Sequence, residues 1–375
     1  MRYCSRCTYP EIAINLMIDD EGICSACRAY EDGEHITDEE WEERGKKLKI
    51  LLEDILSQSR GGYDCIIPVG GGKDSYWQTY LIKEVYGLTP LLVTYHGYNF
   101  LPEGQSNLDR MRSEFNVDHF QIGPSVETLK KLNRVCFKRM GDMNWHAHAG
   151  INVFPIIMAV KLNVPLVIWG EIGWDVSGMF SPNDFSEYSK RTVFEHDLRG
   201  FNWQDMVGEE GLIEKDFNWM KMPSDEDLSK VGVRGIYIGN YIKWDPNIQT
   251  EKMIEDYSFE TARQPFERTY RVMSNLDDMH ENGIHDYMKY IKFGYGRASD
   301  HSSKDIRAGY MTRPEGIEMV RKYDHVKPYN DLKRWLEYVG MTEQEFDGIA
   351  DNFRDPRVWT KNYRGDWVKD NIWDK

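Results

Sequence analysis

The 375-residue chain carries 47 basic and 62 acidic side chains, a formal charge of −15 and a pI near 5.2. That balance opposes duplex nucleic acid as the main partner, which needs a cationic footprint, and we expect no nucleic-acid binding. Hydrophobic residues reach 41 % and aromatic residues 13 %, which excludes a disordered chain. The longest apolar stretch, Phe154 to Val160, is closed by Lys161 and falls short of the ~18 residues of a membrane span. Met1-Arg2-Tyr3-Cys4 opens no apolar signal-peptide run, so we expect a soluble, cytoplasmic chain without membrane insertion. At ~100–200 residues per domain the length fits two or three units.

Four of the six cysteines lie first, as Cys4-x2-Cys7 and Cys24-x2-Cys27. Two such knuckles ~15–20 residues apart form a zinc pattern, each turn supplying two thiolates to a tetrahedral ion. Asp19-Asp20-Glu21-Gly22 reads as the turn that brings the second knuckle back to the first. A disulfide pair and an iron–sulfur cluster are the alternatives. With all four thiols used, the Zn²⁺ is structural. Cys65, in an apolar run, and Cys136, in a helical pattern, read as buried. Thr37-Asp38-Glu39-Glu40 is a capping box, and Leu48, Leu51, Leu52 and Ile55 give the following helix one apolar face. Ser57 to Gly62 breaks the pattern, which bounds a zinc-binding module at 1–60.

Next come an apolar run from Tyr63 to Val69, then Gly70-Gly71-Gly72-Lys73-Asp74-Ser75, then a helix with Trp77, Tyr80 and Leu81 on one face. Glycines let backbone approach a ligand, and a helix N-terminus offers unpaired N–H groups to phosphate. A Walker loop would have Ser or Thr after Lys73, where Asp74 stands, and the dinucleotide fingerprint spaces its glycines. Lys73 would meet phosphate as a point charge, Asp74 would hold Mg²⁺, and Ser75 would give a hydroxyl. A tight strand-to-helix turn without a ligand is the plain alternative. This loop resembles the PP-loop of the ATP-pyrophosphatase superfamily, Ser-Gly-Gly-x-Asp-Ser, with Gly70 in place of the leading serine. The resemblance implies cleavage of ATP between its α- and β-phosphates and adenylation of a carbonyl oxygen.

Strands are expected at 91–95, 118–122 and 165–169, with helices around 103–115, 125–140 and 150–163. Such alternation means a parallel α/β sheet, here a PP-loop ATP-binding domain over 61–200. Ligands sit beyond the C-terminal strand ends, which gathers the loops 70–75, 95–100 and 170–175. Thr94, Gly170 and Glu171 join Gly70 to Ser75 as nucleotide-side candidates; a solvated loop acid is the alternative for Glu171. His96 and Asn99 are weaker candidates. His146 and His148 read as structural or substrate-facing rather than as a metal pair.

The C-terminal region, 201–375, is mainly helical, with one more strand expected within Ile236–Asp245. Its densest polar stretch runs from Lys292 to Arg307. On a helix from Ser299, His301, Lys304 and Asp305 share a face, and Asp300, Lys304 and Arg307 an adjoining one. A salt-bridged surface helix is the alternative. This block, the double knuckle and the PP-loop together resemble the N-acetyl sugar amidotransferases of surface-polysaccharide and flagellin-glycan biosynthesis, the WbpG/PseA type. The resemblance implies a PP-loop (adenine-nucleotide alpha-hydrolase) fold that turns a sugar acetamido group into an acetamidino group with ATP, Mg²⁺ and ammonia. In that role Asp74 and Lys73 serve the phosphates, while Arg297, Asp300, His301 and Lys304 orient the sugar and move protons.

A tRNA sulfur transferase would need a cationic surface and an exposed cysteine, and a non-catalytic zinc-ribbon adaptor would not need Lys73-Asp74-Ser75. Glutamine hydrolysis needs a nucleophilic cysteine. Position 2 is Arg2, Cys4 belongs to the metal set, and neither Cys65 nor Cys136 has the small neighbours of an elbow. A separate glutaminase subunit is therefore expected to supply ammonia, with the tail of Trp359, Tyr363, Trp367 and Trp373 as one candidate docking patch.

Overall fold

Short, almost wholly apolar runs dictate the centre of this protein. The computed structural model describes residues 1–58, 62–170, 180–274, 276 and 281–374. Strands β1 (Cys65–Pro68), β2 (Pro90–Tyr95), β3 (Asp118–Ile122), β4 (Leu166–Trp169) and β5 (Arg234–Tyr237) form one parallel sheet in the order β3-β2-β1-β4-β5. β2 is buried at every position, as a strand covered on both faces must be. β3, at an edge, has no buried position: its residues are exposed or half-buried. The fifth strand starts before the expected region and overlaps it only at Ile236 and Tyr237, because a 3-10 turn begins at Ile238 and Gly239 N–H donates to Gly170 O at 3.0 Å.

Side-chain alternation divides the core into two layers. Ile66, Leu91, Val93 and Val167 pack on one face with α5 (Val126–Met140) and α6 (Trp145–Leu162). Ile67, Leu92, Leu166 and Ile168 pack on the other. That face is covered by α2 (Asp38–Gln58), α3 (Lys73–Tyr80) and α4 (Pro102–Glu114). The box before α2 forms as read: Thr37 Oγ1 accepts from Glu40 N–H at 3.2 Å, and Thr37 N–H donates to Glu40 Oε2 at 2.9 Å.

The C-terminal helices add a third core. The helices Glu281–Phe293, Tyr329–Val339 and Glu343–Asp351 bury Met288, Trp335 and Phe346 against Phe137 of α5. Between the first two lies Arg297–Arg307, a helix whose last partner is the N-terminal knuckle. Among the described residues, no helix is long and apolar enough to cross a membrane.

Candidate active site and zinc centre

The strand order reverses between β1 and β4, so the loops leaving those strands part and leave a crevice. The loop after β1 is Gly70 to Gly72, and α3 starts directly at Lys73. Gly71 has φ +77°, and an added Cβ would lie 2.9 Å from Gly104 O and Leu108 N of α4. Gly104 is tighter still, since its Cβ would stand 1.8 Å from Leu276 O. Leu276 O also accepts from Leu101 N–H at 3.2 Å. Three backbones thus touch in a stack: the glycine loop, the start of α4 and a segment from the C-terminal third.

A cavity of about 420 Å³ opens beside this stack. Gly70, Gly72, Lys73, Asp74 and Ser75 line one side. Tyr95 and Trp169 come from the ends of β2 and β4, Asn144 and His148 from one stripe of α6, and Met273, Leu276 and Asn282 from the C-terminal third. Lys73 Nζ donates to Asp74 Oδ2 at 2.6 Å, while Asp74 Oδ1 is buried with no partner among the described residues. Asn144 Oδ1 and Trp169 Nε1 are likewise buried and unpartnered. Buried polar atoms are nearly always bonded, so these three mark positions a ligand would satisfy. Asp74 Oδ1, a free carboxylate oxygen beside a phosphate-type loop, fits Mg²⁺.

The other nucleotide-side candidates are placed as follows. Ser75 Oγ accepts from Gly70 N–H at 3.0 Å and closes the loop. Thr94 is buried outside the lining, its hydroxyl donating to Val69 O at 2.5 Å and lying 2.8 Å from His119 Nε2. Gly170 packs on Gln78 of α3, where a Cβ would meet Nε2 at 2.1 Å. Glu171, with the rest of its loop to Asp175, lies outside the described residues. His96 Nε2 meets Gln105 Oε1 at 2.8 Å, and Asn99 is buried with Nδ2 unpartnered.

Arg297, Asp300, His301 and Lys304 sit together on one buried helix, Arg297–Arg307, but none lines the cavity. Arg297 Nη2 pairs with Asp286 at 2.7 Å, and Lys289 with Asp300 at 2.5 Å. Against the cost of burial, Asp286 and Asp300 keep Arg297 firmly charged. The surface-helix alternative is excluded by this burial: Asp300 is 8 % and His301 7 % exposed. His301 Nδ1 lies 2.5 Å from Thr269 Oγ1. Burial, then the cations Arg271, Arg297, Lys304 and Lys73, push His301 well below the usual imidazole range. Lys73 among those cations ties this helix electrostatically to the glycine loop.

The two histidines of α6 part company. His146 is fully buried, with Tyr95 OH 2.9 Å from Nδ1 and Glu281 Oε2 3.3 Å from Nε2. His148, half-buried, faces the cavity. Asn144 and Asn282 went unremarked in the sequence; the signal was the spacing Asn144, His148, Ile151, Pro155, one stripe of a helix that is otherwise apolar.

At the N-terminus, the Cys4, Cys7, Cys24 and Cys27 sulfurs all lie within 4.8 Å of one another, and all four residues are buried. Cys7 and Cys24 sulfurs are 3.6 Å apart, and those of Cys4 and Cys27 4.0 Å. Four sulfurs at ~2.3 Å from one Zn²⁺ would stand about 3.8 Å apart, so the set fits the ion. N–H groups of Arg6, Cys7 and Cys24 point at Cys4 Sγ from 3.3 to 3.5 Å and suit a thiolate. The knuckle then docks on Arg297–Arg307. Thr8 Oγ1 lies 2.8 Å from Ser302 Oγ and 2.9 Å from Ser303 Oγ, and Tyr9 OH donates to Asp300 Oδ1 at 3.1 Å.

Residues 253–371 match the family described as LPS biosynthesis protein WbpG-like, C-terminal domain. That region is similar to the WbpG-like C-terminal domain. It covers about a third of the chain and includes every C-terminal residue named above from Leu276 to Arg307. A comparison with curated proteins gives no match. Among solved structures, an NH3-dependent NAD synthetase from Campylobacter jejuni overlaps with 12 % identity and a TM-score of 0.29, over 51 % of this chain and 91 % of that one. An NMN synthetase from Francisella tularensis overlaps with 17 % identity and the same TM-score of 0.29, over 60 % and 98 %. Overlaps of that quality carry no weight for fold or chemistry.

The docking patch expected in the tail is corrected in part. Trp359 is buried, its Nε1–H donating to Ile291 O at 2.7 Å, because Tyr290 and Arg354 close over its ring. Tyr363, at 88 % exposure, stands open.

Proposed function

We propose that this chain is an ATP-dependent, AMP- and pyrophosphate-forming amidotransferase that converts a sugar acetamido group to an acetamidino group with ammonia. One observation carries the reading. The cavity beside the glycine loop is walled on another side by Met273, Leu276 and Asn282 of the WbpG-like domain. A nucleotide-type loop and a domain of a polysaccharide family thus share one reaction space.

In this reading the Gly70–Gly72 backbone and Lys73 hold the outer phosphates, and Thr94 acts from behind the lining by fixing Val69 at the start of the loop. Asp74 would hold Mg²⁺, which offsets charge on the departing pyrophosphate. The amide oxygen attacks the α-phosphorus and pyrophosphate leaves. Ammonia adds to the activated carbon, loses one proton, and AMP departs with the C–O electron pair. Arg297, Asp300, His301 and Lys304 act from behind the cavity wall, holding its charge pattern.

All six cysteines are buried, and burial raises the thiols of Cys65 and Cys136. This supports a separate glutaminase as the ammonia source and removes support from sulfur transfer. The test supplies acetamido sugars with ATP, Mg²⁺ and ammonium chloride. Mass spectrometry should find a product lighter by ~1 Da and AMP in equal amount; AMP without that product, or neither, refutes the reading.

A further inference from the structure

Two residues one turn apart on α6 face the cavity with capacity to spare. Asn144 Nδ2 donates to Asn282 Oδ1 at 3.2 Å, and Asn144 Oδ1 is left buried on the cavity wall without a partner among the described residues. An acceptor oxygen of this kind calls for a donor from the ligand. His148 lines the same wall, and no hydrogen bond to its ring is made by the described residues. Its ring meets His285 edge to face at 5.6 Å, and His285 Nδ1 lies 2.7 Å from Asp142 Oδ1. Asp142 is also paired with Arg199.

The geometry assigns the amide end of the reaction cavity to Asn144 and His148: Asn144 Oδ1 accepts the N–H of the acceptor's secondary amide, and His148 takes the proton that ammonia loses. This rests on the adenylation reading given above. Ammonia's lone pair forms the new C–N bond to the adenylated carbon, and the nitrogen becomes cationic. One of its protons passes to the His148 ring nitrogen. The C–O bond then breaks toward AMP, leaving an amidinium on the sugar. Burial, followed by His285, Arg297 and His146, lowers the His148 pKa to about 3, so the ring is neutral but weakly basic and holds the proton only in passing, while the C–O bond breaks. Nothing in the sequence separated His148 from His146; only their directions on α6 do.

Two measurements on the full chain test this. In the first, protein loaded with Mg²⁺ and α,β-methylene-ATP is titrated calorimetrically with UDP-N-acetylglucosamine and with UDP-glucose, which lacks the acetamido group. The wild type should prefer the first by at least ~5-fold, and N144A should lose that preference, as expected for one buried hydrogen bond. A wild type that takes the two alike, or neither, or an N144A variant that keeps the preference, overturns the subsite. In the second, H148Q is followed by ATP–pyrophosphate exchange and by ammonium-dependent product formation. H148Q should slow product formation at least ~10-fold more than exchange, within the range for a lost general base. Equal slowing would make His148 structural and overturn its role. Preference for the acetamido probe without any exchange in the wild type would refute adenylation, and the His148 role with it, while the Asn144 contact stood.

Discussion

At Asp74 the two carboxylate oxygens have different tasks, one held by Lys73 and one left open to the cavity. Asp74→Asn keeps the shape and removes the charge. AMP formation should fall at least ~100-fold, while stability changes by no more than ~1 kcal/mol, because the Lys73 pair is partly exposed. Quenched-flow AMP release beside urea denaturation gives both numbers, and AMP release near the wild-type rate would remove Asp74 from the metal role. Gly104 makes a sharper steric case. Gly104→Ala drives a methyl into Leu276 O, 1.8 Å away, so α4 or the Leu276 segment must move. We expect a loss of at least ~2 kcal/mol, together with weaker ATP binding, since the same contact seats the glycine loop. The importance of Gly104 was not legible in the sequence. One glycine in an amphipathic helix says nothing of a backbone met 172 positions later, between Gly104 and Leu276. Gly70 to Ser75 was legible because its function is local, a strand, a turn and a helix start.

Among the elements, the helix Arg297–Arg307 is the most constrained. Asp324 caps it from another helix, accepting from Gly296 N–H at 2.8 Å and Ser299 N–H at 3.1 Å. The N-terminal cysteine knuckle meets its serines through Thr8 and its Asp300 through Tyr9. Sequence periodicity placed His301 and Asp305 on one face, and both do turn to the same segment, Thr269 to Arg271. What periodicity left open was whether that face meets solvent, since a charged helix reads alike buried or exposed. Burial depends on Asp286 and Lys289, which supply the partner charges for Arg297 and Asp300 from the helix Glu281–Phe293. Thr8→Val should cost about 1–3 kcal/mol by leaving two serine hydroxyls without their partner. Removal of the metal by a chelator should also speed amide exchange in 297–307, read by mass spectrometry. Exchange that quickens only within 1–34 would show that the knuckle does not brace this helix.

For the whole molecule, the parallel sheet was readable from four apolar runs at regular spacing, whereas the strand order that opens the crevice was not. Acid response is a property at this scale. His148 lies near 3, and His285 and His301 are held well below the usual range by burial. Above ~6.5 neither folded nor unfolded chain protonates these rings, so they leave stability unchanged. Below that value the unfolded chain takes up protons that the folded one refuses, and stability falls with pH. Asp197, raised to about 6 by burial, opposes this, since its folded carboxyl is relieved by protonation. From pH 7.5 to 5.5 the three rings cost ~1.4 kcal/mol each and Asp197 returns ~0.8, so we expect a net loss of roughly 3 kcal/mol in urea titrations. A constant or rising midpoint over that interval would contradict it.

The docking of the knuckle also has a consequence in time. Its four cysteines leave the ribosome within the first 27 residues, but the serines that receive Thr8 are 302 and 303. At ~5–20 residues per second, synthesis leaves that face bare for roughly 15–60 s. A cysteine loop that takes up Zn²⁺ at that point would wait, folded around the ion, for a partner not yet made. Starved of zinc during translation, cells should accumulate aggregates of nascent chain, and zinc restored after release should recover less protein than zinc present throughout.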